Sequence, residues 1–137
     1  MNGPSAMGRI LIIEDEVNIL EALSFILSRE GWDVRGHGKG DGALEAVARV
    51  APDLVILDMM LPGVPGLQVL RSLRDARDTV DLPVLMLTAR GQDKDRDVAL
   101  ATGANAFLTK PFSNAEVLEM VAKLMPKGVP VRAAPEA

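Results

Sequence analysis

Apolar and polar positions fall in blocks along this chain, and the period changes from block to block. Ile10-Leu11-Ile12-Ile13 is an unbroken apolar run that ends on Glu14-Asp15-Glu16. A run this short predicts a strand buried on both faces, as in a parallel sheet. From Val17 to Glu30 the period lengthens: Ile19, Leu20, Leu23, Ile26 and Leu27 recur at helical spacing, and Gly31 supplies the stop. Trp32-Asp33-Val34-Arg35 predicts a short, more polar strand at a sheet edge. Gly36, Gly38, Gly40 and Gly42 follow, then a helix carrying Leu44, Val47 and Val50 that ends at Pro52. Leu54-Val55-Ile56-Leu57 is again wholly apolar, runs into Asp58, and is stopped by Pro62 and Gly63.

The second half repeats the alternation. A helix is predicted from about Leu67 to Arg74, with Leu67, Leu70 and Leu73 facing inward. A polar loop, Asp75 to Asp81, leads to the strand Pro83-Val84-Leu85-Met86-Leu87, which ends at Thr88. The next helix, roughly Asp93 to Thr102, has only Val98 and Leu100 as large apolar residues and is the least amphipathic of the set. After Gly103, Ala106-Phe107-Leu108-Thr109 reads as a fifth strand, followed by Lys110-Pro111. Ser113 and Glu116 form a capping-box pattern at the start of a last helix, whose buried stripe is Val117, Leu118, Val121 and Leu124. Five strands alternating with five helices predict an α/β fold: a doubly wound, five-stranded parallel sheet covered on both faces, with right-handed crossovers.

Composition narrows the class without changing this outline. A chain of 137 residues suits one domain with a single core, and 48% hydrophobic with 25% charged residues is ordinary for a soluble globular protein. The net charge of −4 and the lack of a basic run give no reason to expect direct nucleic-acid binding. With no cysteine, disulfides and thiolate metal sites are excluded. No apolar run approaches the roughly 20 residues needed to span a bilayer, so no membrane association is expected and a cytoplasmic location is the default. Residues 1–8 read as a flexible leader, residues 9–125 as the domain, and residues 126–137, with prolines and alanines but no periodicity, as a disordered tail or linker.

Chemistry enters at the strand ends. Glu14 and Asp15 follow the first strand, Asp58 the third, Thr88 the fourth and Lys110 the fifth, and in a parallel sheet these ends meet on one edge, where open α/β sheets bind ligands. Each residue alone has an ordinary explanation: a capping aspartate, a solvated acidic pair, a surface lysine. Together they form a set. Three carboxylates brought close repel one another unless a positive charge sits among them. A hard divalent cation answers that, and Mg²⁺ characteristically takes one or two carboxylates plus water and phosphate oxygens. Lys110 adds a flexible point charge and Thr88 a hydroxyl donor. The parts suit phosphoryl transfer to a carboxylate, with Asp58 as nucleophile.

The ordered segments Ile12-Ile13-Glu14-Asp15-Glu16, Val55-Ile56-Leu57-Asp58-Met59-Met60-Leu61-Pro62-Gly63, Met86-Leu87-Thr88-Ala89 and Leu108-Thr109-Lys110-Pro111-Phe112 resemble the receiver domain of two-component response regulators, over about residues 9–125. The resemblance implies a flavodoxin-like strand order, 2-1-3-4-5, and a cis Lys110–Pro111 bond. It implies that Asp58 is the phospho-acceptor and that Mg²⁺ is the cofactor. Asp15 would bind the metal directly, Glu14 largely through water, and the Met60 carbonyl would complete the protein ligands. Thr88 and Lys110 would engage the phosphoryl group with help from the Met59 and Ala89 amides. The donor would be a sensor histidine kinase or phosphotransfer protein, and the recipient of the signal a downstream effector or output domain. The domain would catalyse only its own phosphorylation and dephosphorylation. In the family's switch, the Thr88 hydroxyl draws inward, an aromatic at the position of Phe107 rotates from exposed to buried, and the face formed by the fourth helix, fifth strand and fifth helix changes. Plain core packing is the other reading of Phe107.

Some positions depart from the family pattern. Phe107 lacks the hydroxyl of the common tyrosine. Where dimerising members carry two acidic residues before the aromatic and an arginine on the last helix, this chain has Asn105, Ala106 and Met120. That removes the charged dimer contacts and favours a partner on the last helix, or a different dimer. Met60 and Arg90 occupy positions that tune hydrolysis of the acyl phosphate, and the apolar Met60 side chain predicts slow self-dephosphorylation. Three other readings compete. Gly38-Lys39-Gly40-Asp41-Gly42-Ala43 contains a G-x-G-x-x-A pattern that resembles a dinucleotide-binding turn, but it follows the weak second strand and leaves the strand-end set without a role. An aspartyl-nucleophile phosphohydrolase would usually carry a second aspartate where Met60 stands. A docking module that never carries phosphate would not need Asp15, Asp58, Thr88 and Lys110 intact. His37, the only histidine, lies in the glycine-rich loop, so the phosphoryl donor is expected to be another protein. The tail after Leu124 reads either as a natural end or as a cut through a linker.

Overall fold

The computed structural model describes residues 8–89 and 93–126. Among them, five strands and five helices alternate: β1 (Arg9–Ile13), α1 (Val17–Arg29), β2 (Asp33–His37), α2 (Ala43–Val50), β3 (Leu54–Asp58), α3 (Gly66–Asp75), β4 (Val84–Thr88), α4 (Asp93–Thr102), β5 (Ala106–Thr109) and α5 (Asn114–Leu124). The strands form one parallel sheet in the order β2-β1-β3-β4-β5. The expectations for the leader and tail fall almost wholly outside the described residues. No described helix is long and apolar enough to cross a membrane.

Because side chains alternate across a strand, each apolar run feeds both faces. Leu11, Ile13, Val55, Leu57, Val84 and Met86 point to the side covered by α2, α3 and α4. Ile10, Ile12, Leu54, Ile56, Leu85 and Leu87 point to the side covered by α1 and α5. Every residue of β3 and β4 is buried, which is why those runs read as continuous rather than alternating. β2 is the half-buried edge predicted, although it extends to His37. Arg9 and Arg35 hold Asp33 on that edge through ion pairs of 2.9 and 3.0 Å.

Two helices turn differently from the sequence pattern. On α2 the buried residues are Ala43, Ala46, Val47 and Val50, while Leu44 faces solvent. On α4 the inward residue is Ala99, and its neighbours Val98 and Leu100 are exposed. At about 100° per residue, an inward Ala99 swings the residue on either side of it away from the core. On α3, Val69, Leu70 and Leu73 are buried and Leu67 only half so. The capping box of α5 is formed as predicted: the Glu116 amide donates to Ser113 Oγ at 3.1 Å, and the Ser113 amide to Glu116 Oε1 at 2.8 Å.

Candidate functional site

The strand register brings the predicted polar set to one edge. Ile13 lies opposite Leu57, Asp58 opposite Leu87, and Thr88 opposite Thr109. Asp58 and Thr88 are therefore the last residues of adjacent central strands, and both are buried. Glu14 follows β1 and is buried, while Asp15 beside it is exposed. Lys110 follows β5, its amide donating to the Thr88 carbonyl at 2.7 Å, and the Lys110–Pro111 peptide is cis. α3 begins close behind Asp58: a Cβ on Gly66 would overlap the Asp58 carbonyl oxygen, so only glycine fits there.

Carboxylate oxygens of Glu14, Asp15 and Asp58 lie within 4.8 Å of one another. Lys110 Nζ stands among the acids at 3.0 Å from Glu14 Oε1, 3.1 Å from Glu16 Oε1 and 3.5 Å from Asp58 Oδ2. The contact to Glu14 is a close ion pair without hydrogen-bond angles, so among the described residues Glu14 Oε1 is a buried oxygen with no hydrogen-bond partner. Its Oε2 accepts the Glu16 amide at 3.0 Å. Burial, and then the charge of Glu14, push the Asp58 carboxyl up to about 7, against the opposing pull of Lys110 and the Met60 amide. Burial works against the Lys110 ammonium, but the surrounding carboxylates outweigh it and hold its pKa above the ordinary value. The all-oxygen donor set, the Glu14 oxygen without a hydrogen bond and the excess of negative charge fit a hard divalent cation.

One expected donor is wrong. The Met59 amide donates to the Leu87 carbonyl at 2.8 Å, continuing the ladder between β3 and β4, and is not available to a phosphoryl group. The Met60 amide, one residue further, turns to Asp58 Oδ1 at 3.3 Å. The Met60 side chain is 57% exposed at the rim. Ala89 follows Thr88 and is exposed, and Arg90 lies outside the described residues. Phe107 is half-buried against the α2–α3–α4 side of the core. Beside it a cleft of about 440 Å³ is lined by Asp93, Arg96, Phe107, Thr109, Lys110 and Glu116.

Sequence reasoning gave Glu16 no role, yet its carboxylate is one of the three that Lys110 contacts. A signal was present: Glu16 occupies the N-cap position of α1, where Ser, Thr, Asp or Asn is the usual choice. The G-x-G-x-x-A turn has a packing role. A Cβ on Gly40 would run into the Val64 carbonyl, so that glycine lets the loop after β2 lie against the loop after β3. His37 Nε2 meets the Asp41 carbonyl at 2.7 Å within the same turn. Asn105, which removes a charge from the outer face, has a structural role: its Oδ1 accepts from the Val84 amide at 2.8 Å and from Arg74 Nη2 at 3.1 Å.

With this geometry in place, the likenesses to known proteins are specific. Residues 10–122 match the model of the response regulator receiver domain. The chain belongs to that family. It is 40% identical over 117 residues to the phosphate regulon transcriptional regulatory protein PhoB of Escherichia coli K12, covering 85% of this chain and 51% of PhoB. The chain thus spans about half the length of the curated relatives it matches. A putative response regulator from Chloroflexus aurantiacus superposes with a TM-score of 0.83 at 33% identity, covering 87% of this chain and 98% of that one. The receiver domain of a sensor histidine kinase from Pseudomonas aeruginosa PAO1, solved with magnesium coordinated in its active-site cleft, gives 0.80 at 27% identity, covering 87% and 98%. The receiver reading carries with it the fold, the five-stranded 2-1-3-4-5 sheet, and a phosphorylation-dependent switch rather than a classical enzyme. The phosphohydrolase and docking-module readings are not favoured.

Proposed function

We propose that this receiver takes a phosphoryl group on Asp58, with Glu14, Asp15, Asp58 and the Met60 carbonyl holding Mg²⁺ and Lys110 and Thr88 binding the phosphoryl oxygens. The observation that carries this reading is the convergence of Glu14, Asp15, Asp58 and Lys110 at one sheet edge, with a buried Glu14 oxygen left without a hydrogen bond. Magnesium was found in the cleft of the Pseudomonas relative. Bound here, the metal would supply positive charge against the phosphoryl oxygens as the acyl phosphate forms. Asp58 Oδ attacks phosphorus, the bond from phosphorus to the donor breaks, and the donor leaves with its electron pair. Lys110 offsets the charge that remains. The Met60 and Ala89 amides are the backbone donors in this reading, Met60 replacing Met59.

The donor is a histidine kinase or phosphotransfer protein, the signal passes to an effector or output domain, and all of this occurs in the cytoplasm. The domain catalyses only its own phosphorylation and dephosphorylation. Phe107, half-buried beside an open cleft, is the switch aromatic, and it biases the α4–β5–α5 face by burial alone because it carries no hydroxyl. Incubation with acetyl phosphate and Mg²⁺ should add the mass of one phosphoryl group, and neither omission of the metal nor Asp58→Asn should leave any gain. An Asp58→Asn protein that gains the same mass would overturn the assignment. The exposed Met60 side chain at the rim hinders water, so the phospho-form should outlast a chase of several minutes rather than decay in seconds.

A further inference from the structure

We infer that Glu16 is a positioning residue that restrains Lys110 in the resting domain, so that phosphoryl transfer requires Lys110 to leave it. The inference rests on the reading of Asp58 as phospho-acceptor. Lys110 Nζ has three carboxylate neighbours, Glu14, Glu16 and Asp58, and the hydrogen bond among these contacts is the one it donates to Glu16. A phosphoryl group arriving at Asp58 brings new oxygens, and moving Lys110 Nζ onto them takes it off the Glu16 carboxylate that holds it by a hydrogen bond. Glu14 has no such hydrogen bond to give up, since its 3.0 Å contact with Lys110 is an ion pair only. Glu16 is 60% exposed, and water can take the place of Lys110 on its carboxylate. It also stands outside both the proposed metal ligands and the acceptor.

The backbone of Glu16 is built for this reach. Its amide donates to Glu14 Oε2 at 3.0 Å, and its carbonyl accepts the Leu20 amide at 3.0 Å as the first turn of α1. The residue is pinned on both sides, and its side chain makes no capping bond to the helix it opens. That side chain instead accepts a hydrogen bond from Lys110 Nζ, across 94 positions of sequence, at 3.1 Å. A cap position occupied by a poor capping residue, with its carboxylate committed to the reactive centre, identifies a contact maintained for the site rather than for the helix.

The test uses transfer from acetyl phosphate, in which the bond from phosphorus to the acetyl oxygen breaks, acetate leaves, and a bond from phosphorus to Asp58 Oδ forms. Phosphorylation rates are compared for the intact chain, Glu16→Gln, Glu16→Asp, and Glu21→Gln, which removes an exposed charge one turn along α1. Glu16→Asp keeps the charge but is one methylene too short to reach Lys110. Both Glu16 variants should phosphorylate about 3- to 10-fold faster, part of the worth of one charge-assisted hydrogen bond, while Glu21→Gln stays within about 2-fold. In a Lys110→Ala background, Glu16→Gln should change nothing. Glu16→Asp at the unaltered rate, or an equal acceleration without Lys110, overturns the inference in favour of a general charge effect. Failure of the intact chain to phosphorylate at all overturns the Asp58 reading beneath it.

Discussion

α1 and α5 pack side by side on one face of the sheet, and each starts just past a strand at the reactive edge. They open in opposite ways. α5 begins with a reciprocal capping box between Ser113 and Glu116, so its first amides are satisfied by its own side chains. α1 begins with Glu16, which makes no capping bond and extends its carboxylate to Lys110 instead. The local rule is kept where the helix only has to be stable and set aside where the chain must arrange charge. Departures from local propensity of this kind concentrate at functional sites.

The largest test of that contrast is removal of the group that α1 serves. Lys110→Ala leaves Glu14 and Asp58 buried without their cation, and breaking a buried ion pair from one side costs about 3 kcal/mol. Urea denaturation in metal-free buffer should register that loss. A loss below about 1 kcal/mol would mean that water already screens these acids.

Next in size is the pH dependence of Asp58. The folded domain keeps a proton on this carboxyl up to about 7, whereas the unfolded chain releases it near the ordinary aspartate value of 3.8. Between those values the folded state binds more protons, so stability falls as pH rises and the penalty is complete above pH 7. Asp58→Asn cannot ionise. In metal-free buffer it should melt above the intact chain at neutral pH, and the gap should close toward pH 4. A gap that stays constant across that range would show that burial of the charge is not its cause.

The contrast also explains how much could be read from the sequence. Strand-end residues were legible because the apolar runs are unbroken: Leu54 to Leu57 and Val84 to Leu87 fix where Asp58 and Thr88 emerge, and parallel pairing does the rest. Ser113 with Glu116 was legible because a capping box is a local pattern. The role of Glu16 was not, since its partner follows β5, three strands along the sheet from β1, and only the fold brings the two strand ends to the same edge. The choice between the Met59 and Met60 amides was equally hidden, because it depends on where the ladder to Leu87 stops. On α4, large apolar residues drew the eye to Val98 and Leu100, but the small Ala99 is what faces the core.

The smallest effects divide the two helix starts most directly. Ser113→Ala removes a capping oxygen and should cost about 1 kcal/mol, the usual worth of such a cap. Glu16→Ala removes no cap and only an exposed partner of Lys110, so its stability should change by no more than about 0.5 kcal/mol. Both are measured by the same denaturation curves, with an unchanged slope indicating that the folded state is otherwise intact. If the two variants lose equal stability, Glu16 is supporting α1 after all, and its contact with Lys110 is incidental to the helix. If only Ser113→Ala loses stability, while Glu16 variants alter the phosphorylation rate, one helix start serves the fold and the other serves the site.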